Sequence, residues 1–197
     1  MGKTTLSTCI AVAAAESGLD VAVFDLDPQA TATFWKDVRE ADTPAVVSIQ
    51  AVRLPAMLKA AEEAGTDLVV IDGAAVARDV VFDAARASDF VLVPTRAAVF
   101  DFMSMRQTID IIRQEETPLA VVLNFVPPAG VEAGEARELA GQLKTQVCPV
   151  QLGNRKAFFR AQSQGLAVQE FQPASKAAEE SRQLYRFVCK QMRIGGK

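Results

Sequence analysis

Four short apolar runs, separated by stretches of helical character, constrain the fold of this chain more than any other feature. They are rich in β-branched residues and span residues 21–24, 67–71, 90–93 and 120–123. Such continuous runs are typical of strands covered on both faces, as in a parallel sheet. The helical stretches are predicted at residues 3–17, 30–40, 54–65, 76–87, 101–116, 132–146, 155–164 and 174–193. This alternation predicts an α/β fold with a doubly wound, mostly parallel sheet.

The polar residues that follow these runs indicate where a ligand would bind. Asp25 and Asp72 follow the first two runs, and Asn124 follows the last. In open parallel sheets the ligand site lies beyond the carboxyl ends of the strands, where these residues are expected. With no repeat, low-complexity tract or linker in view, we expect one domain over residues 1–197.

Composition narrows the functional classes open to the chain. It has no histidine, which excludes Ser-His-Asp triads, Cys-His pairs and histidine-ligated zinc. Its three cysteines are far apart in sequence, a pattern that fits a reducing cytoplasm better than a disulfide framework. The net charge of −3 gives no reason to expect nucleic-acid binding from overall charge, although a local basic patch stays open. No apolar run approaches the ~20 residues of a membrane span, so we expect a cytoplasmic protein.

The first residues, Gly2-Lys3-Thr4-Thr5, lead directly into an apolar helical stretch over 6–15. They match the second half of the Walker A motif, in which backbone N–H groups at a helix N-terminus hold phosphate. In that motif the lysine contacts the β- and γ-phosphates and the first hydroxyl ligates Mg²⁺. Taken alone, the same residues also fit an ordinary helix N-terminus capped by threonine.

A Walker A loop normally follows a buried strand, and the sequence shows neither that strand nor the first glycine of the loop before Met1. We therefore expect a sheet that lacks the strand leading into the loop. Met1 stands where such loops often have valine, whose GTG codon can serve as a bacterial start codon. Our hypothesis is that translation begins further upstream, with an in-frame strand followed by Lys-Gly-Gly.

Two acidic strand ends give the half-motif its context. Asp25 and Asp27, two residues apart, fall on one side of an extended segment, where one carboxylate can support Mg²⁺ through water and the other can orient an attacking water. Asp72 closes an apolar strand in the manner of a Walker B acid, which binds Mg²⁺ directly or through water. Each element alone also fits a solvated turn or an ordinary strand end. Their order along one chain favours a nucleotide site.

Together these segments resemble the ParA superfamily of deviant Walker A ATPases, which also includes the cell-division regulator MinD. The DLDPQ element at residues 25–29 is fairly specific to that family, and the Gly73-Ala74 pair resembles small plasmid-type members such as ParF. The resemblance covers nearly the whole chain, in segments 2–7, 23–35, 68–75, 87–95, 121–128 and 157–180. It implies a P-loop NTPase fold of the SIMIBI type, with ATP and Mg²⁺ as cofactors.

The resemblance also implies roles for matching residues. Lys3 and Gly2 would hold phosphate, Thr4 would bind Mg²⁺ and Thr5 would contact the α-phosphate. Asp27 would be the switch aspartate needed for hydrolysis, acting with Lys3. The remaining roles are metal support by Asp25, a Walker B role for Asp72 and an approach to the adenine by Asn124. The family's defining lysine, which precedes the loop glycines and reaches across an ATP-sandwich dimer, has no counterpart in this sequence.

The function implied is a partition ATPase that dimerises on ATP, binds DNA non-specifically and is stimulated by a ParB-like partner at the nucleoid. Basic residues near the C-terminus are the candidate DNA contacts, or else an ordinary solvated face: Arg155, Lys156, Arg182, Arg186 and Lys190. A MinD-like positioning ATPase at a membrane, or an inactive remnant that only binds partners, are the alternatives. We expect Leu184, Phe187 and Val188 to dock on the domain rather than on a membrane, and therefore no stable membrane association.

Overall fold

The computed structural model describes residues 2–73, 78–96, 99–129 and 132–194, without the side chains of residues 99, 100, 102–104, 132 and 133. The strands are β1 (Val21–Asp25), β2 (Ala45–Ser48), β3 (Leu68–Asp72), β4 (Val91–Thr95), β5 (Leu119–Val126) and β6 (Gln146–Gly153). The helices are α1 (Lys3–Glu16), α2 (Thr31–Asp37), α3 (Leu54–Glu63), α4 (Arg78–Arg86), α5 (Val99–Ile112), α6 (Glu132–Gln142), α7 (Lys156–Gln162), α8 (Val168–Phe171) and α9 (Lys176–Met192). Short 3₁₀ turns occupy Ala51–Arg53 and Arg113–Glu115.

The six strands form two three-stranded sheets, ordered β2-β1-β3 and β4-β5-β6. Every strand pair in both sheets is parallel. The β-branched runs therefore fold as predicted, and the fold class is confirmed as α/β with parallel strands. In the first sheet Asp25 pairs in register with Asp72, which aligns the acidic ends of β1 and β3.

The largest group of buried apolar residues joins α1 and α9 to β5, β6 and α7. Leu184, Phe187 and Val188 of α9 are buried in it. The prediction that this stripe docks on the protein is confirmed. Among the described residues, no helix combines the length and apolar character needed to cross a membrane.

A buried ion pair fixes the end of α2 against α8. The Arg39 guanidinium, with only 3% of its side chain exposed, lies 2.7 Å from the Glu170 carboxylate. It also donates to the carbonyl of Gly165 at 2.9 Å and lies 4.8 Å from the ring centroid of Trp35. Gly165 has a φ of +65°, and a Cβ there would lie 2.6 Å from the Arg39 backbone. This contact therefore requires glycine.

Several predicted boundaries were wrong. Two strands, β2 and β6, and the short α8 were not predicted, and α6 ends at Gln142 instead of continuing to residue 146. β2 is mostly exposed, and β6 carries Pro149 and interleaved glutamines, so neither presents a continuous apolar run. Both are outer strands of their sheets, where burial on two faces is not required. The predicted start of α4 at residue 76, and Ala74, lie outside the described residues.

Candidate nucleotide site

The N-terminus of α1 provides the main-chain N–H groups of the candidate site. Gly2 precedes the helix in the left-handed conformation, with a φ of 82°, and its carbonyl accepts the first helical hydrogen bond from Leu6 at 3.1 Å. The first N–H groups of a helix have no partner within it, which makes this end a site for anions. Lys3, Thr4 and Thr5 form the first turn of α1 and are half-buried.

Two hydroxyls of α1 bind the carboxylate at the end of β3. Thr4 Oγ1 donates to one Asp72 oxygen at 2.7 Å, and Ser7 Oγ donates to the other at 3.1 Å. Because Thr4 and Ser7 are three residues apart, they lie on one face of the helix. Thr4 and Asp72, which the family resemblance assigns separately to Mg²⁺, are thus in contact. Ser7 was not predicted, although its spacing from Thr4 is the signal that would have identified it.

Asp25 is fully buried, and nearby residues of the β1–α2 segment occupy most of the hydrogen-bond acceptor positions of its carboxylate. One carboxylate oxygen accepts from the Asp27 N–H at 3.1 Å, and the other accepts from the N–H and the hydroxyl of Thr33 at 3.0 Å each. Thr33, on α2, was also missed by sequence reasoning. Since a carboxylate offers about four acceptor positions, about one is left, which suits support through water better than direct ligation.

Asp27 lies in the turn that follows β1 and remains partly exposed. Its carboxylate accepts from the Gln29 N–H at 3.0 Å, and its carbonyl accepts from the Ala30 N–H at 2.8 Å. These two bonds fix the conformation of the turn. The turn places a solvent-accessible acid two residues after a buried one.

The electrostatics of the site favour a bound cation. The pKa of Asp72 is raised to about 6, chiefly because burial disfavours its charged form; the hydrogen bond from Thr4 lowers it, Asp25 raises it, and Ser7 and Lys3 lower it. Mg²⁺ takes oxygen ligands and usually combines one or two carboxylates with phosphate and water. A hydroxyl and a buried carboxylate within 2.7 Å of each other, next to a second buried carboxylate, fit that ion.

Asn124, near the carboxyl end of β5, lies beside the first turn of α1. A Cβ added to Gly2 would collide with the Asn124 amide, and it would lie 3.1 Å from the ring of Phe125. The Arg96 guanidinium lies 5.1 Å from the centroid of that ring. Asn124 is therefore adjacent to the phosphate-binding end of the predicted site, and its proposed approach to adenine stays a prediction. Arg96 and Phe125 gave no signal in the sequence.

The geometry of the site agrees with what a comparison of the sequence with known protein families finds. Residues 1–168 match the model of the CobQ/CobB/MinD/ParA nucleotide-binding domain family. The chain belongs to this family. The resemblance inferred from the residues alone is thereby confirmed, and the match ends before α9.

The chain is similar to known ParA and MinD proteins. Over 136 residues it is 27% identical to the protein ParA of Rhizobium radiobacter, an alignment covering 65% of this chain and 61% of the relative. The chain thus spans less than two thirds of that relative. Its fold matches MinD of Pyrococcus horikoshii complexed with Mg-ADP (TM-score 0.80, 16% identity, 100% of this chain and 94% of that one). It also matches a substituted McdA of Cyanothece in complex with ATP (TM-score 0.80, 17% identity, 100% and 93%).

The basic residues that the family resemblance suggests for DNA are unequally available. Arg155 pairs with Glu180 at 2.7 Å, and its pKa is raised mainly by that hydrogen bond. Arg186 pairs with Glu179 at 2.7 Å, and Arg182 donates to the carbonyl of Pro173 at 2.9 Å. Lys156 and Lys190 are exposed. Among the described residues, the three arginines are thus held by partners within the protein, while the two lysines are exposed without an ion pair in the structure.

Proposed function

We propose that this protein is an ATP- and Mg²⁺-dependent switch ATPase. The observation that supports this most strongly is the contact of Thr4 and Ser7 with Asp72 at the N-terminus of α1, with Asp25 in register beside it. It lies within the segment that matches a nucleotide-binding family. A hydroxyl, a helix N-terminus and paired carboxylates at one point are the parts that a Mg²⁺–phosphate ligand requires.

The residues divide the work of such a site. Lys3 and the N–H groups after Gly2 would neutralise the β- and γ-phosphates, while Thr5 would contact the α-phosphate. Thr4 and Asp72 would hold Mg²⁺, which supplies charge neutralisation at the phosphates. Further roles would follow from position: Asp25 would fix the switch turn and support the metal through water, Asp27 would orient the attacking water, and Asn124 would border the nucleotide.

Within this class, we propose a role in DNA partition. The support is the similarity to ParA of Rhizobium radiobacter and the exposed lysines of α7 and α9. The protein would form a nucleotide-dependent homodimer, bind DNA without sequence preference and respond to a ParB-like partner, at the nucleoid of the cytoplasm. The switch works because γ-phosphate favours one dimer state, and its loss on hydrolysis removes that preference.

Isothermal titration with Mg·ADP and Mg·ATP tests the nucleotide site. We expect saturable binding that Lys3→Ala weakens at least ~10-fold, since one charge-assisted contact to phosphate is removed. Lys59→Ala is the matched control, because Lys59 is 75% exposed on α3 and far from the site in sequence. Absence of binding by the unaltered chain would contradict the proposal and favour a protein that acts only through partners.

Turnover and DNA binding test the later steps. Asp27→Asn is expected to lower ATP hydrolysis by about 10²-fold or more while nucleotide binding persists, because it removes the group that orients water. Asp37→Asn, which changes an exposed acid on α2, is the control.

Retention of the protein on duplex DNA should require ATP. Binding to anionic liposomes that depends on residues 180–194, without DNA retention, would instead support membrane positioning.

A further inference from the structure

A chain of hydrogen bonds runs from the end of α7 to the first turn of α1. Gln162 Nε2 donates to Thr8 Oγ1 at 2.8 Å. The Thr8 hydroxyl donates to the carbonyl of Thr4 at 2.9 Å and, in a longer contact, to that of Thr5 at 3.2 Å. The Thr4 hydroxyl in turn donates to Asp72 at 2.7 Å. Gln162 is thereby connected with the proposed Mg²⁺ ligands, although it lies far from them in the sequence.

The direction of these bonds depends on Gln162. Thr8 is fully buried, and its hydroxyl has one hydrogen to donate and two lone pairs that accept. Since the amide nitrogen of Gln162 can only donate, it occupies a lone pair of Thr8 and leaves the hydroxyl hydrogen for the carbonyls of α1. A helical threonine otherwise divides between two rotamers. Gln162 therefore favours the rotamer that bonds back to the first turn.

The bond from Thr8 acts where a helix has the least internal support. The first N–H groups of a helix have no partner within it, so few hydrogen bonds hold the first turn. Here the carbonyl of Thr4 accepts from the Thr8 hydroxyl in addition to the main-chain N–H that an α-helix brings to it. The additional bond fixes the residue whose hydroxyl contacts Asp72. Groups that are fixed in advance bind a ligand at a smaller entropic cost.

The segment that carries Gln162 is itself held in place. Shortly after it, the carbonyl of Gly165 accepts from the Arg39 guanidinium at 2.9 Å. The carbonyl of Leu166 accepts from Trp35 Nε1 at 3.2 Å. Both donors lie on or just after α2, the helix that follows the switch turn. A side chain on such a supported segment holds its partner at a defined distance, as the positioning of a functional group requires.

A second buried amide attaches α1 about one turn further from the site. Gln169 Nε2 donates to the carbonyl of Cys9 at 2.8 Å, and Ser181 Oγ donates to Gln169 Oε1 at 2.9 Å. The side chains of Gln169 and Ser181 are buried. This second link holds the middle of α1 against α8 and α9, so it provides a structural comparison for the link from Gln162.

We propose that Gln162 is a positioning residue of the nucleotide site and acts through Thr8 on Thr4. It holds the first turn of α1 in the arrangement in which the Thr4 hydroxyl can bind Mg²⁺. This inference rests on the proposed nucleotide function and adds a residue of α7 that determines the affinity of the site.

Isothermal titration of the full chain with Mg·ADP, and with ADP in EDTA, tests this role. Gln162→Met keeps the length of the side chain and removes the donor. We expect it to weaken Mg·ADP binding about 3- to 10-fold, the loss of one hydrogen bond, and to change ADP binding in EDTA by less than about 2-fold. Gln164→Met, at an exposed position just after α7, is the matched control. Unchanged affinity for Mg·ADP, or equal losses with and without Mg²⁺, would overturn the inference.

A double-mutant cycle tests the path through Thr8. Thr8→Val keeps the shape of the side chain and removes the hydroxyl, and it should weaken Mg·ADP binding by a similar factor. The variant that carries both Gln162→Met and Thr8→Val should bind no more weakly than either single variant, because each change breaks the same chain of bonds. Thr8→Ser keeps the hydroxyl and should restore the affinity. Losses that multiply in the double variant would rule out the path.

Hydrogen exchange without nucleotide separates positioning from a general loss of stability. Gln162→Met should speed exchange of the Thr8 and Cys9 N–H groups by at least ~3-fold while leaving α9 unchanged. Ser181→Ala breaks the second link and should lower the midpoint of thermal unfolding without changing the affinity for Mg·ADP. If Ser181→Ala weakens Mg·ADP binding as much as Gln162→Met does, the role of Gln162 is only structural and the inference is wrong.

Failure of the role of Gln162 and failure of the nucleotide site give different results. Absence of Mg·ADP binding by the unaltered chain would contradict the proposed function and this inference with it. Binding that Lys3→Ala weakens and Gln162→Met does not would leave the proposed function in place and overturn only the role of Gln162.

Discussion

The carboxylate of Asp72 is buried beside that of Asp25, at the aligned ends of β1 and β3. Two like charges in a poorly solvated position destabilise the chain when no cation is present. We expect Asp72→Asn to raise the free energy of unfolding in Mg²⁺-free buffer by about 1 kcal/mol, or roughly 2–4 °C.

The same substitution should cancel the stabilisation that Mg·ADP gives the unaltered chain, measured by differential scanning fluorimetry with and without ligand. Asp83→Asn, an exposed acid on α4, is the control for loss of one negative charge. Should Asp72→Asn be less stable than the unaltered chain in Mg²⁺-free buffer, the acid would be a structural residue and not a ligand held in readiness.

The cysteines differ in their access to reagents. Burial raises the pKa of the Cys9 and Cys148 thiols to about 11 each, whereas Cys189 is partly exposed on α9. Since the thiolate reacts, roughly one in a thousand of the buried thiols is reactive at pH 8. Ellman's reagent should modify about one thiol per native chain and three after unfolding in guanidinium. Cys189→Ser should remove the fast reaction; two or more fast thiols in the native chain would contradict this assignment.

At the scale of elements, substitutions at two glycines distinguish the cost of backbone strain from the cost of a steric collision. Gly65 and Gly165 both have positive φ values, +86° and +65°, but only Gly165 faces a neighbour, the backbone of Arg39. Gly65→Ala is expected to cost about 1 kcal/mol from strain alone. Gly165→Ala is expected to cost about 3 kcal/mol or more, because the α2 end must also move. Urea unfolding of both variants measures the difference in stability. Equal losses of stability would show that the backbone of Arg39 can move away from residue 165 at little cost.

The elements that the sequence predicted best are those whose two faces are covered. All of β1 and most of β5 are buried and both are continuous apolar runs, so their pattern alone locates them. β2 is mostly exposed and β6 mixes buried with exposed positions and contains Pro149 and glutamines, which leaves no continuous apolar run to recognise. The bounds of α6 were misjudged because its last turn and the start of β6 share polar residues.

In the site, the sequence predicted the residues whose chemistry is fixed by type and by strand position. Thr4 and Asp72 were each assigned to Mg²⁺ from the family resemblance, and they are in contact; their binding of Mg²⁺ stays a prediction. Ser7 and Thr33 were missed, because a serine or threonine on a helix face is common and only the packed structure shows which carboxylate it meets. The contacts of Ser7 and Thr33 depend on how α1 and α2 pack on the sheet, and no short sequence motif indicates that packing.

At the scale of the whole molecule, the net charge of −3 means that any DNA binding must come from a local surface. We expect Lys156→Gln and Lys190→Gln each to reduce the slope of log affinity against log salt by about 1, since each removes one phosphate contact. The measurement is fluorescence anisotropy of duplex DNA with Mg·ATP. Lys59→Gln should leave the slope unchanged, and a similar change in all three variants would indicate a nonspecific effect of charge.

The two hydrogen bonds from Thr4 and Ser7 to Asp72 have a thermodynamic consequence, because they attach α1 to the end of β3. Linkage requires reciprocity: whatever factor a bound ligand adds to the attachment of α1, an attached α1 adds to the affinity for that ligand. Hydrogen exchange of the first turn of α1 and the occupancy of the site would therefore report the same equilibrium.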